Sequence, residues 1–263
     1  MMFRVKKHKQ LLAYLRQGDF SHPGEIEAIQ LAMKNIPQNH LRQILDVGSG
    51  LGGTADYLQK QGFGSVAGLD IDPILIEYAK KHYPNARFIE GDIQQELVGL
   101  SPIRFDLIYC FSSFFCFKNQ EQALKQMAKL ANPGCQLIVF DYSRQNTKSI
   151  KSPFPWSSTA SHFNPIFLPE LKRQLEKTGW SFKSSLDISA HFDRWYTELL
   201  ARFLAKRQEC IERFDKATFD EMCAGFSHLL QEIQSGRVGG LIAFSEWNYA
   251  RGLIAGLGNK GNL

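Results

Sequence analysis

Four glycines stand within six positions of the stretch "ILDVGSGLGG" (residues 44–53): Gly48, Gly50, Gly52 and Gly53, directly behind an apolar run. A loop this poor in side chains lets backbone N–H groups approach a ligand closely. Gly48, Gly50 and Gly53 satisfy G-x-G-x-x-G, the dinucleotide fingerprint. Asp70 follows Gly50 by 20 residues at the end of a second apolar run, where a carboxylate accepts hydrogen bonds from ribose hydroxyls. The pair points to an adenosine-containing cofactor and leaves NAD and S-adenosylmethionine both open.

Two further carboxylates weigh on that choice. Asp46 sits inside the approach to the loop, where it could meet the cationic amino group of a methionyl moiety or organise the loop through a water. Beside a dinucleotide pyrophosphate it would repel. Asp92, in "EGD" (90–92), closes a third apolar run, in position to accept from an adenine amino group. Further along, Phe111, Phe114, Phe115 and Phe117 could surround a cation, wall an apolar pocket or simply pack as core. Phe154 and Trp156 fit pocket or lid roles in a long loop. His162, beside Phe163, is the candidate general base should a hydroxyl be the acceptor; a solvated loop histidine is the plainer reading.

Elements that position these residues can be read from periodicity. Buried strands are expected at 43–47, 65–70, 86–92, 105–111 and 135–142, alternating with helical patterns as a parallel sheet with crossover helices requires. Asp72 with Pro73 behind it reads as an N-cap and first helical residue. Asn132-Pro133-Gly134 ends the helix that begins near Asn119. Residues 147–165 read as a long loop, 180–188 as a sixth strand and 237–247 as a last one. Between those two strands, 191–235 carries no strand signal, and Phe219, Met222, Cys223, Phe226, Leu229, Leu230 and Ile233 share one helical face. The expected architecture is a doubly wound α/β sheet with helical material inserted before its final strand.

Composition sets the outer bounds. The chain of 263 residues is 44% apolar and 22% charged, as expected for a globular protein with one large domain or a core plus insertion. Of the net charge of +5, four charges come from Arg4, Lys6, Lys7 and Lys9 in the first ten residues, which hold no acid. That start is expected to be a solvated tail, and the nearly neutral remainder argues against a nucleic-acid footprint. The most apolar run, 107–117, is too short to span a bilayer. The five cysteines (110, 116, 135, 210 and 223) show no metal spacing and their odd number argues against a disulfide framework. A cytoplasmic protein with no metal and mostly buried thiols is expected.

"LDVGSGLGG", "GLDIDPILIEYA", "FIEGDI", "FDLIYC" and "LANPGCQLIVFDY" match, in order and spacing, the successive motifs of class I S-adenosylmethionine-dependent methyltransferases. The sequence resembles that superfamily. The resemblance implies a seven-stranded Rossmann-like sheet whose last strand is antiparallel. It implies that Gly48, Ser49, Gly50 and Gly52 line the methionyl side and that Asp70 binds the ribose diol. Ile71 and Ile93 would pack on the adenine faces, Asp92 would hold its amino group, and Cys110 and Phe111 would close the pocket near the sulfonium.

Beyond the core the chain is similar to the small-molecule branch that includes phosphoethanolamine and sarcosine/dimethylglycine N-methyltransferases. "GDFSHPGEIEA" (18–28) is similar to their N-terminal cofactor lid, and residues 195–233 followed by "RVGGLIAF" to their helical cap and final strand. The implied division is a lid at 1–40, a cofactor-binding core at 41–190, a cap at 191–235 and a closing strand with tail at 236–263. Phe20, Ser21 and His22 would touch the cofactor, and Tyr142 would face the substrate as a catalytic residue.

Two departures narrow the acceptor. Where the phosphobase enzymes place a histidine after the fourth strand, this chain reads "FSSFFCF", and "GFSHLLQEI" in the cap offers only His228 for a phosphate. A phosphorylated substrate is disfavoured, whereas an amine needs only a neutral lone pair held in line with the methyl group. The expected function is methyl transfer from S-adenosylmethionine to a small molecule, at an amine nitrogen. The alternatives are O- or C-methylation of an apolar metabolite, or a non-catalytic cofactor-binding protein.

Overall fold

The computed structural model of the chain describes residues 2–97, 100, 103–145 and 163–248, with side chains from residue 7 onward. Seven strands form one sheet: β1 (Gln43–Val47), β2 (Ser65–Asp70), β3 (Arg87–Glu90), β4 (Phe105–Phe111), β5 (Ala131–Arg144), β6 (Trp180–Asp187) and β7 (Val238–Trp247). Their order is β3-β2-β1-β4-β5-β7-β6. The first five strands run parallel, and β7 lies antiparallel between β5 and β6. The chain winds outward from β1 in one direction and from β4 in the other. The carboxyl ends of β1 and β4 are therefore the switch point, where a doubly wound sheet opens a crevice.

Alternation along the central strands gives the sheet two apolar faces. In β4, Leu107, Tyr109 and Phe111 join one buried cluster, while Phe105, Ile108 and Cys110 join the other. The second cluster is closed by α5 (Gln120–Leu130) and α6 (Leu168–Lys177). The first is closed by α3 (Gly53–Lys60) and α4 (Pro73–His82) together with α1 (Met2–Arg16), α2 (Glu25–Met33), α7 (Ser189–Ala205), α8 (Arg207–Phe214) and α9 (Lys216–Gln234). The helix at α4 starts as its sequence predicts: Pro73 opens it and Asp72 accepts from the Ile74 amide at 2.9 Å.

Three expectations need correction. The basic start is not a solvated tail. It forms α1, whose Leu11, Leu12 and Leu15 are buried and whose His8 is buried facing Glu221 of α9 at 3.2 Å. The reason is tertiary: the apolar spots of α1 are sparse, and α7, α8 and α9 give them a surface to dock on. Strand β5 begins at Ala131, earlier than predicted, so that Asn132-Pro133-Gly134 ends α5 yet lies within the strand. An irregularity between Phe105 and Leu107 of β4 accommodates this start. Strand β3 is shorter than predicted. Most of the proline-rich loop, including Phe154, Trp156 and His162, lies outside the described residues.

Candidate cofactor and acceptor site

The glycine loop leaves β1 at the switch point and enters α3. Gly48, Gly50 and Gly52 all have positive φ (82°, 55° and 92°), a region that only glycine occupies without strain. Space enforces the same choice. A Cβ on Gly48 would stand 2.3 Å from the Ser113 Cβ, and one on Gly50 would stand 2.6 Å from the Ser21 hydroxyl.

Asp70, at the end of β2, carries the loop. Its Oδ2 accepts from the Gly50 amide at 2.8 Å and its Oδ1 from the Asp72 amide at 3.0 Å. Each oxygen keeps a lone pair, so the geometry permits a ribose diol as well. Burial raises the Asp70 carboxyl above its ordinary value, while these two amides pull it back. Asp92 is half-buried beyond β3 and takes the Gln94 amide and side chain on Oδ1. Ile71 is 64% exposed, an apolar surface beside Asp70 that invites a flat partner. The side chains of Ile93 and Cys110 are enclosed in the core beneath the site, leaving their backbone as what they offer a ligand.

The strongest sign of a missing partner is a group of buried polar atoms. Ser21 Oγ, Ser49 Oγ and Ser112 Oγ have no hydrogen-bond partner among the described residues, and the Asp46 carboxylate and the Tyr109 hydroxyl have only one another. All five belong to the carboxyl ends of β1 and β4, the loops that follow them, or the segment laid over the glycine loop. Buried polar atoms are normally paired, so such a group fits a ligand that brings both hydrogen bonds and charge. Burial pushes the Asp46 carboxyl up to about 7; Tyr109 beside it lowers it and the Asp70 charge raises it. A cation placed there would relieve that penalty. The residues present therefore suit the amino-acid end of S-adenosylmethionine.

His22 is held in one tautomer. Its Nδ1 lies 3.2 Å from the Pro23 carbonyl, which only accepts, so Nδ1 carries the proton and Nε2 accepts from the Thr54 hydroxyl at 3.0 Å. Burial lowers its pKa to about 3, so the ring is neutral. It packs edge-on against Phe111 and Phe140, and Phe20 tilts against its other side.

From Phe111 the wall turns aromatic. Phe140, Tyr142, Phe115, Phe163, Phe192 and Tyr196 contact one another in ring pairs 5.0–6.3 Å apart. The Tyr142 hydroxyl meets that of Tyr196, and burial holds the Tyr142 phenol well above its ordinary pKa. Ser112 (φ 51°) turns the chain out of β4. Behind it, Ser113 donates to the Val47 carbonyl at 2.6 Å, and buried Asp141 accepts from the Phe115 and Tyr142 amides. Ser112, Ser113, Tyr109, Asp141 and Tyr196 were not singled out by sequence. For Asp141 a signal existed: it is an acid closing an apolar strand, as Asp46 and Asp70 are.

The sequence profile of the family described as Methyltransferase domain matches residues 45–139. Phosphoethanolamine N-methyltransferase of Plasmodium falciparum is 22% identical over 213 residues, covering 80% of each chain. Phosphoethanolamine N-methyltransferase 2 of Haemonchus contortus, solved with phosphomonomethylethanolamine and S-adenosylhomocysteine, superposes with a TM-score of 0.78 at 16% identity. That match covers 90% of this chain but 56% of the other, so the chain spans little more than half of that relative's length. A cyclopropane synthase of Mycobacterium tuberculosis shares the fold at a TM-score of 0.77 and 13% identity, over 91% of this chain and 93% of its own. Residues 45–139 thus carry a methyltransferase domain, and over its seven-stranded sheet the chain is similar in fold to S-adenosylmethionine-dependent methyltransferases.

Proposed function

We propose that the chain transfers a methyl group from S-adenosylmethionine to an amine nitrogen of a small, weakly charged molecule. The observation that carries this is the contrast across the switch point: the buried Asp46 carboxylate with oxygens of Ser21, Ser49 and Ser112 that have no partner among the described residues, and beside them an aromatic wall. When bound, the cofactor supplies an electrophilic methyl on a sulfonium whose positive charge disappears on transfer. Gly48, Ser49, Gly50 and Gly52 would hold its methionyl end, with Asp46 facing the ammonium. Asp70 would hold the ribose, with Ile71, Asp92 and the backbone at Ile93 around the adenine. Phe20, Ser21 and His22 would cover the cofactor at the loop, while Phe111 and the backbone of Cys110 would border its sulfur.

The acceptor side supports an amine. The nitrogen lone pair forms the new N–CH3 bond, the S–CH3 electrons stay on sulfur, and an N–H proton is released afterwards, so no strong base is required. His22 is neutral and already engaged at both nitrogens, and Arg16, the buried cation nearby, leans on Glu25 at 3.8 Å and donates to the Phe20 carbonyl. Neither is set out to grip a phosphate. Tyr142 would orient the acceptor through its oxygen, while His162 would serve only a hydroxyl acceptor.

In this reading residues 1–40 act as lid, 41–190 as cofactor core, 191–235 as cap and 236–263 as closing strand and tail. The five cysteines are free thiols, which suits a reducing cytoplasm. Among the described residues no helix is long and apolar enough to cross a membrane. A second reading, O- or C-methylation of an apolar metabolite, is favoured by the same aromatic wall. Transfer of labelled methyl from S-adenosylmethionine to panels of secondary amines, phenols and activated carbon acids separates the two. Turnover with phenols but not amines would overturn the first; cofactor binding without turnover on any panel would point to a non-catalytic protein.

A further inference from the structure

Residues 18–23 form a strap across the glycine loop, bracketed by left-handed backbone at Gln17 (φ 54°) and Gly24 (φ 78°). The strap lies close: a Cβ on Gly53 would come within 2.7 Å of the Asp19 carbonyl oxygen, and the Ser21 hydroxyl sits over Gly50. It is fastened at successive residues. The Arg16 guanidinium donates to the Phe20 carbonyl at 3.1 Å, and Thr54 of α3 holds His22. Ser21 differs, since its hydroxyl is buried and unpartnered among the described residues.

Asp19 supplies the fastening on the far side. Its Oδ2 accepts from the Tyr83 hydroxyl at 2.7 Å and from the Tyr78 hydroxyl at 3.1 Å. Tyr78 lies in α4 and Tyr83 caps it, so both belong to the helix that follows Asp70 and Asp72. Burial and the Asp19 charge push Tyr78 up to about 12 and Tyr83 further, so both phenols stay protonated donors at ordinary pH. A cleft of about 520 Å³ between α1, α8 and α4 opens beside this junction, lined by Lys7, Tyr14, Asp19, Tyr78, Tyr83 and Arg213 among others. The two hydroxyls tie the strap to α4 at this junction.

We propose that Asp19 is a positioning residue of the cofactor site: its clasp on Tyr78 and Tyr83 holds the strap so that Ser21 faces the glycine loop. This rests on residues 44–53 being the S-adenosylmethionine loop. Without the clasp the strap must be ordered when ligand binds, which lowers affinity and speeds release. The Asp19 Oδ2 takes both hydroxyls, with Oδ1 a longer second acceptor for Tyr78 at 3.3 Å, so an amide oxygen in the place of Oδ2 can do most of the same work.

The test uses the full chain and S-adenosylhomocysteine as probe, with calorimetric affinities, dissociation rates by rapid mixing, and melting temperatures for each variant. Asp19→Ala and the double variant Tyr78→Phe/Tyr83→Phe are expected to bind about tenfold more weakly, mainly through faster dissociation, as loss of one or two modest hydrogen bonds implies. Asp19→Asn is expected to stay within about threefold of wild type, a rescue that a charge effect would not give. Wild-type affinity in a folded Asp19→Ala or in the double variant overturns the clasp. Equal weakness of Asp19→Asn and Asp19→Ala overturns it as well, assigning the effect to charge. Should Asp19→Ala not fold, the double variant, which keeps both rings, decides. Wild-type protein that fails to bind the probe overturns the cofactor reading itself, and the clasp with it.

Discussion

The two sides of the switch point are built on opposite plans. At the ends of β1 and β2 the chain contributes backbone, short side chains and carboxylates, and among the described residues the hydroxyls of Ser49 and of Ser21 laid over the loop are buried without partners. At the ends of β4 and β5 it contributes rings that fill space against each other and against α7. The first side holds unsatisfied hydrogen-bonding capacity, which a folded protein tolerates where a ligand completes it. The second is filled mainly by its own rings, with the Ser112 hydroxyl at the end of β4 left unpartnered among the described residues.

That contrast can be broken in order of effect. Phe192 is fully buried between Phe140, Tyr142, Trp195 and Tyr196. Phe192→Ala is expected to cost about 3–5 kcal/mol in urea unfolding, the range for emptying a packed aromatic site. A cost below about 1 kcal/mol would show that the aromatic side is loosely packed and the contrast false.

Gly48→Ala strikes the other side. Its Cβ would clash with Ser113 and its φ is left-handed, so S-adenosylhomocysteine affinity is expected to fall about 100-fold, near 3 kcal/mol. Unchanged affinity by calorimetry would show that the loop does not need its observed backbone.

Proton linkage at Asp46 gives an intermediate effect. Its carboxyl titrates at about 7 in the folded chain, so it is neutral below that pH and ionised above. The ionised form attracts the ligand's ammonium, so affinity for S-adenosylhomocysteine is expected to rise about tenfold between pH 6 and pH 8, as the charged fraction climbs. Asp46→Asn should bind more weakly and flatten the profile. A flat wild-type profile would separate Asp46 from the cation.

The smallest change is expected from Tyr142→Phe. Its hydroxyl meets Tyr196 on the aromatic side, so S-adenosylhomocysteine affinity should move by less than about twofold, within the range of a distant, uncoupled site. A larger loss would mean that Tyr142 belongs to the cofactor side.

Much of the cofactor side was legible in the chain itself. The glycine loop, Asp46, Asp70 and Asp92 are each tied to a strand end, and strand ends are marked by local signals such as apolar runs, glycines and capping residues. The cap helices were also visible, since the stripe from Phe219 to Ile233 falls on one face. The basic N-terminal helix was misread, because charge dominates its composition while three buried leucines decide its placement.

The sequence alone thus determined the succession of strands and helices along the chain and pointed to an adenosine-containing cofactor at the glycine loop, because those follow from periodicity and backbone preference within short segments. Tertiary structure alone decided which side chains meet. Asp19 finds Tyr83 across 64 residues and Tyr142 finds Tyr196 across 54, and the strap is pinned over Gly50 by partners from three helices. No local rule carries such pairings: they exist only once the winding of the sheet has brought distant segments to one edge, where burial makes each unpaired hydroxyl costly.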